Sequence, residues 1–311
     1  MKKINFLDFP NIKFGKNVKI ISNNIVINDG VVIEDNVHIE AENIYIGYNS
    51  KIESDTVVRG LGICMKTFFV GDNSLIGFRN QILVTDFMMK DFSQLHNSCL
   101  TSGYKPLKIG YNCWIGQNSI LNSTENLIIE NNVRIGTGSQ LWTHVASGEL
   151  LEGCSLYGNN PLHLKDNVWI VGGAVISPGL ILEKNSIIMT GSVLTKSTTP
   201  FSTFAGVPAK DVTEKLSFWN DISLDDQIKM LDIFINDFYK KYPEYTAKIH
   251  LLNNLDEELI EKNKTDVFIL KQVNLFAYID NKISIFDLSS KKYIKTRSKL
   301  EIDWIMFNVG F

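Results

Sequence analysis

An aliphatic residue recurs at every sixth position through much of this 311-residue chain. That period constrains the fold more than any other feature. In the clearest block Leu164, Ile170, Ile176, Leu182, Ile188 and Leu194 are six apart without a break, and Val168, Ala174, Leu180, Ser186 and Ser192 follow the first five at four residues. Earlier blocks keep the rule: Phe14 and Ile20; Ile27, Ile33 and Ile39; Ile46 and Ile52; Val70, Ile76 and Ile82; Ile109, Ile115 and Leu121; Ile129, Ile135 and Leu141. Alternation within a strand puts positions one, three and five of a hexad on one face, so the aliphatic residue and its small companion both point inward. A single hexad cannot bury its inner side chain alone, and many must stack to make a core. Three hexads bring the chain back above its starting point, one sheet spacing higher. Gly71-Asp72-Asn73, Gly110-Tyr111-Asn112 and Glu130-Asn131-Asn132 suit the corners, which need compact residues or positive φ. The expected fold is an all-β solenoid. Its phase drifts over 53–69 and breaks for a first insertion at 83–108 and a second at 142–163. Insertions in a solenoid project as loops, where chemistry sits on a rigid scaffold.

Composition removes several alternatives. A net charge of −3 gives no electrostatic reason to expect nucleic acid or an anionic membrane surface. No apolar run approaches the ~20 residues of a membrane helix. Lys2 and Lys3 are followed by Asp8 and Pro10 rather than by the apolar core of a signal peptide, which points to a cytoplasmic protein. Cys64, Cys99, Cys113 and Cys154 are widely spaced, a pattern of buried thiols rather than of a zinc ribbon or disulfide framework.

Three segments in order carry a family resemblance. They are Leu-Lys-Asp-Asn-Val-Trp-Ile-Val-Gly-Gly-Ala-Val-Ile-Ser-Pro-Gly over 164–179, Thr-Gly-Ser-Val-Leu-Thr-Lys over 190–196, and Phe-Ala-Gly-Val-Pro-Ala-Lys over 204–210. This set resembles the hexapeptide-repeat acyltransferases, in their sugar and xenobiotic acetyltransferase branch, most closely over 109–212. The resemblance implies a left-handed parallel β-helix, although ordinary β crossovers are right-handed. It implies acetyl-CoA as cosubstrate, no metal, a sugar or oligosaccharide acceptor, and a homotrimer with the acyl-CoA site between adjacent coils. His144, in Trp142-Thr143-His144 at the opening of the second insertion, matches the family's catalytic base, and histidine titrates near working pH. Trp142 and Asp86 are candidates for the acceptor side, with Asp86 also able to orient His144. Relatives carry an Asp-x-His segment in the first insertion, where this chain has Met88. For CoA the family suggests Trp169, the backbone around Gly173 and Ala174, then Ser192, Lys196, Ala209 and Lys210. Val171 and Val207 depart from the commoner Gly and Asn. Trp114 holds the place equivalent to Trp169, so the repeat itself tolerates tryptophan there.

The hexads stop at Asp211, which divides the chain into a repeat domain over 1–212 and an α+β accessory or capping region over 213–311. An amphipathic helix is expected over 223–241 with Ser223 as N-cap, a short helix around 255–263, a hairpin pairing Val273–Ile279 with Lys282–Leu288, and a last helix over 298–307. The function to expect is acetyl transfer to a sugar hydroxyl or amine in surface polysaccharide, lipopolysaccharide or capsule modification. A non-catalytic scaffold or sugar-binding module is the alternative, though it needs neither His144 nor the Gly-Val-Pro-Ala-Lys segment. Five scattered histidines do not offer the three-ligand set of a metal-dependent hydratase.

Overall fold

The computed structural model describes residues 1–146, 149–254, 256–272 and 283–309. It divides the chain into two compact units, Met1–Trp219 and Asn220–Phe311.

The first unit is a three-sheeted coil. Successive strands enter a second sheet, then a third, then a first, and each strand pairs in parallel with the strand one coil earlier. Among the described residues the first sheet has ten strands: Lys2–Lys3, antiparallel at its edge, then nine parallel strands from Lys19–Ser22 through Gln140–Leu141 to Val193–Leu194. The second has eight, from Asn24–Ile27 to Ile181–Leu182. The third has eleven, from Lys13–Phe14 to Thr203–Gly206, and is finished by the antiparallel strand Ala209–Asp211. The sheets enclose one aliphatic core in which Ile135, Leu141, Leu164, Ile170, Ile176 and Leu182 are fully buried. Burying residues of this kind is worth about 1.5–3 kcal/mol each, so the stacked ladder holds the unit together.

The corners account for the period and for its breaks. Through the second, third and first sheets the inward residues are always six apart, as in Val70–Ile76–Ile82, Ile109–Ile115–Leu121 and Leu164–Ile170–Ile176. At both corners within those runs one residue per coil turns with positive φ, including Asn73, Asn112, Asn132, Asn167 and Asn185. These asparagines form side-chain ladders: Asn112 Nδ2 donates to Asn132 Oδ1 at 2.8 Å, and Asn167 Nδ2 to Asn185 Oδ1 at 2.8 Å. Only the corner from the first sheet to the second varies. Ile82 to Met89, Leu121 to Ile129, Leu141 to Leu164 and Ile176 to Leu182 are all single steps around it.

This corrects one expectation. Residues 83–108 are no insertion but a regular coil, with strands Asp86–Met89, Gln94–Leu95 and Leu100–Ser102 and with Met89, Leu95 and Thr101 pointing inward. One extra residue at the variable corner shifts the phase, and Thr101 puts a hydroxyl where the repeat expects an aliphatic side chain. The segment 142–163 does leave the coil. His144–Ala146 pairs antiparallel with Tyr157–Asn159, with a short 3₁₀ turn at Leu150–Glu152 between them.

Among its described residues the second unit has three α-helices and a four-stranded sheet. Helix α1, Leu224–Lys241, begins at Ser223, whose Oγ accepts from the Asp226 N–H at 3.1 Å. Helix α2 spans Glu257–Lys262 and helix α3 spans Lys299–Val309. Phe238 is fully buried and lies 5.8 Å from Tyr245, 5.4 Å from Trp304 and 5.5 Å from Phe307 between ring centroids. The first arm of the expected hairpin lies outside the described residues. Its second arm, Ser284–Asp287, runs parallel to Val267–Leu270 and antiparallel to Lys292–Ile294.

Candidate active site

His144 follows the last first-sheet residue before the hairpin, where the chain leaves the variable corner. One coil earlier the same corner carries Asn122-Ser123-Thr124, so Asn122 and Thr124 lie beneath it. The His144 Nδ1 is 2.9 Å from Asn122 Oδ1 and 3.2 Å from Thr124 Oγ1. Thr143, fully buried, donates its hydroxyl to Asn122 Oδ1 at 2.7 Å and accepts the Glu125 N–H at 3.0 Å. The Trp142 indole stands edge-on to the imidazole at 5.8 Å and donates to Gln140 Oε1 at 3.2 Å. The ring is half-buried. One nitrogen is thus engaged by the protein, and a half-exposed ring offers the other to a proton donor.

The other candidate residues fall into two groups at opposite ends of the first sheet. At the variable corner, Lys196 is exposed and lies two coils beyond Trp142-Thr143-His144, because Leu141, Ile176 and Leu194 are successive neighbours across the sheet. Asp86 begins a strand three coils before His144. At a sheet spacing of ~4.8 Å that separation is about 14 Å, so Asp86 cannot orient His144 within one chain. Gly173 and Ala174 form the opposite corner, with Trp169 just before them on the third sheet, 48% exposed. Ala209 and Lys210 lie on the strand that finishes the third sheet, Lys210 exposed. Ser192 needs correction as a side-chain contact. It points into the core, fully buried, and its Oγ accepts the Gly206 N–H at 3.1 Å, because it is an inward companion of the hexad.

No family model matches the chain. Among curated proteins, it is 30% identical over 102 residues to a putative acetyltransferase of Schizosaccharomyces pombe, covering 33% of this chain and 47% of that protein. It is 31% identical over 113 residues to the galactoside O-acetyltransferase of Escherichia coli, covering 34% and 55%. Over about a third of its length the chain is thus similar to acetyltransferases, a galactoside O-acetyltransferase among them. It spans about half the length of the curated relatives it matches. A solved hexapeptide-repeat acetyltransferase of Vibrio cholerae, complexed with acetyl coenzyme A, is 18% identical, with a TM-score of 0.35 over 49% of this chain and 72% of that one.

Three of the remaining histidines have other partners. His96 lies 4.8 Å from the Trp114 ring, His163 Nε2 is 2.6 Å from Glu130, and His250 Nε2 is 2.7 Å from Asp266. His38 is half-buried on a strand, beside Glu40 at 3.6 Å. Among the described residues no three His, Cys, Asp or Glu side chains are grouped to hold a metal ion. Burial pushes the Cys99 thiol up to about 11 and the Cys113 thiol up to about 12, so neither offers a thiolate nucleophile near neutral pH. No described helix is long and apolar enough to cross a membrane. Sequence reasoning missed Asn122 and Thr124. As polar residues after an inward leucine they read as surface, yet Thr124 stands one 20-residue coil before His144, a spacing that the repeat length itself supplies.

Proposed function

We propose that this chain transfers an acetyl group from acetyl-CoA to a sugar hydroxyl, or less favourably an amine, in surface polysaccharide, lipopolysaccharide or capsule modification. The observation that carries this reading is the half-buried His144 at the variable corner, held through Nδ1 by its own chain. The likeness to a galactoside O-acetyltransferase supports the sugar hydroxyl. His144 Nε2 takes the proton of the acceptor hydroxyl as its oxygen attacks the thioester carbonyl. Backbone N–H groups hold the resulting oxyanion. Collapse of the tetrahedral intermediate breaks the carbon–sulfur bond, and the imidazolium returns its proton to the CoA sulfur. No metal takes part in this scheme.

Trp142 flanks the acceptor in this reading, and Asp86, remote from His144, is kept only as a contact for a distal part of it. Trp169, the Gly173–Ala174 backbone, Lys196, Ala209 and Lys210 hold CoA, with Ser192 contributing its backbone alone. Because these residues divide between two edges of the prism, one copy's variable corner faces the opposite corner of another in a homotrimer of left-handed coils. The repeat unit carries the transferase and the C-terminal unit is accessory, in a cytoplasmic enzyme.

Acetyl-CoA turnover, followed by free-thiol release against nucleotide sugars and oligosaccharides, tests the reading. Wild type should turn over on one acceptor, and His144→Ala should lose about 10²–10⁴-fold in kcat. Equal rates would remove His144 from the base role. Absence of both turnover and CoA binding would favour the scaffold alternative.

A further inference from the structure

We infer that Asn122 is a positioning residue that fixes His144 in the Nδ1–H tautomer, so that Nε2 presents its lone pair outward. The consequence for catalysis rests on the proposed base role of His144; the tautomer itself does not.

The argument begins with the amide of Asn122, which is 5% exposed. Two backbone N–H groups, of Thr124 and Thr143, point at one of its terminal atoms, each at 3.3 Å. That atom must accept, so it is oxygen. The other terminal atom faces the Ser102 carbonyl at 3.2 Å and Thr124 Oγ1 at 3.2 Å, so it is the NH₂ donor. A flipped amide would set a donor against two donors and an oxygen against a carbonyl. The Thr143 hydroxyl is compatible with this assignment, lying 2.7 Å from the amide oxygen and 3.2 Å from the Asn122 backbone carbonyl, to either of which it can donate. An amide oxygen can only accept. The 2.9 Å contact with His144 Nδ1 therefore requires the proton to be on Nδ1.

Neutral imidazole has one protonated and one free nitrogen, and the partner of the first decides which is which. Locking Nδ1–H leaves Nε2 basic on the far edge of the ring. Thr124 Oγ1, 3.2 Å from Nδ1, can share the same N–H as a second acceptor. Since Asn122 is neutral, it orients the base without a carboxylate's additional hold on the imidazolium.

The test is ¹⁵N–¹H correlation spectroscopy of the His144 ring in the full-length protein at pH 8. Wild type is expected to show Nδ1 protonated and Nε2 unprotonated, whereas Asn122→Ala should show the Nε2–H form. A wild-type ring protonated on Nε2, or a ring unchanged by the substitution, overturns the inference. With an acceptor in hand, Asn122→Ala should lower kcat about 10- to 100-fold, part of what a positioned base contributes, while KM for acetyl-CoA stays put. Asn122→Asp should restore rate and move the acid limb of the pH–rate profile to higher pH. Loss of KM alone, or an unmoved profile in the Asp variant, overturns the positioning role. The expected ring signature without turnover on any acceptor would count against the proposed function and leave the tautomer lock standing.

Discussion

Two corners of the solenoid and its third corner obey different rules. At the first two, every described coil turns in the same number of residues, through a positive-φ position that asparagine fills repeatedly. At the third, from the first sheet to the second, the step between inward residues ranges from that of Ile176 to Leu182 to that of Leu141 to Leu164. The regular corners set the register of the stack, and the irregular one carries the hairpin, Asn122, Thr124 and His144. A rigid repeat thus confines its freedom to one edge, and the candidate chemistry lies on that edge.

Insertions should break this contrast most visibly. One glycine added between Asn131 and Asn132 displaces the following third-sheet strand by a residue and turns its inward face outward. It should lower the melting temperature by roughly 10 °C or more, an effect of several kcal/mol for a unit of this size. The same glycine between Lys105 and Pro106, at the variable corner, should cost less than about 1 kcal/mol, since lengthening a loop is cheap. Similar losses at both sites in thermal melts would refute the distinction.

A smaller effect of opposite sign is expected at Thr101. Its hydroxyl is fully buried in the inward ladder and has no hydrogen-bond partner. Thr101→Val keeps the shape and removes the unsatisfied group, so it should stabilise by about 1–3 kcal/mol in denaturant titrations. No gain would mean that the ladder tolerates polarity as readily as the corner tolerates length.

The faces between corners should give the smallest change. Burial holds the His38 imidazole below its usual range, with Lys19 adding to the effect, and burial does the same to His96. The folded state therefore binds fewer protons than the unfolded one once the pH falls below about 6.5. That stability is fully present above this value and is lost on acidification toward the lowered folded values. Melting temperature should fall modestly between pH 7.5 and pH 5, and His38→Gln with His96→Gln should flatten that dependence.

Much of this was legible in the chain itself. The hexads identified the coil, and Ser223 marked the start of α1 because an N-cap is a local interaction. The regular coil over 83–108 was not legible, since one extra residue and Thr101 hid the phase. The pairing of Ser284–Asp287 with Val267–Leu270 was also hidden, because alternation marks a strand without naming its neighbour. His144 was found through its flanking sequence, whereas Asn122 became visible only through the coil spacing that stacks it beneath.

The sequence by itself determined the solenoid, because six-residue periodicity is a local pattern repeated until no other packing can bury it. Only the tertiary structure decided which candidate residues meet. Stacking brings together positions one coil apart, such as Thr124 and His144, and the three-sided cross-section separates Trp169 and Gly173 from the histidine that they resemble partners of. Proximity in a coil depends on the number of residues per turn. At the variable corner that number changes from coil to coil.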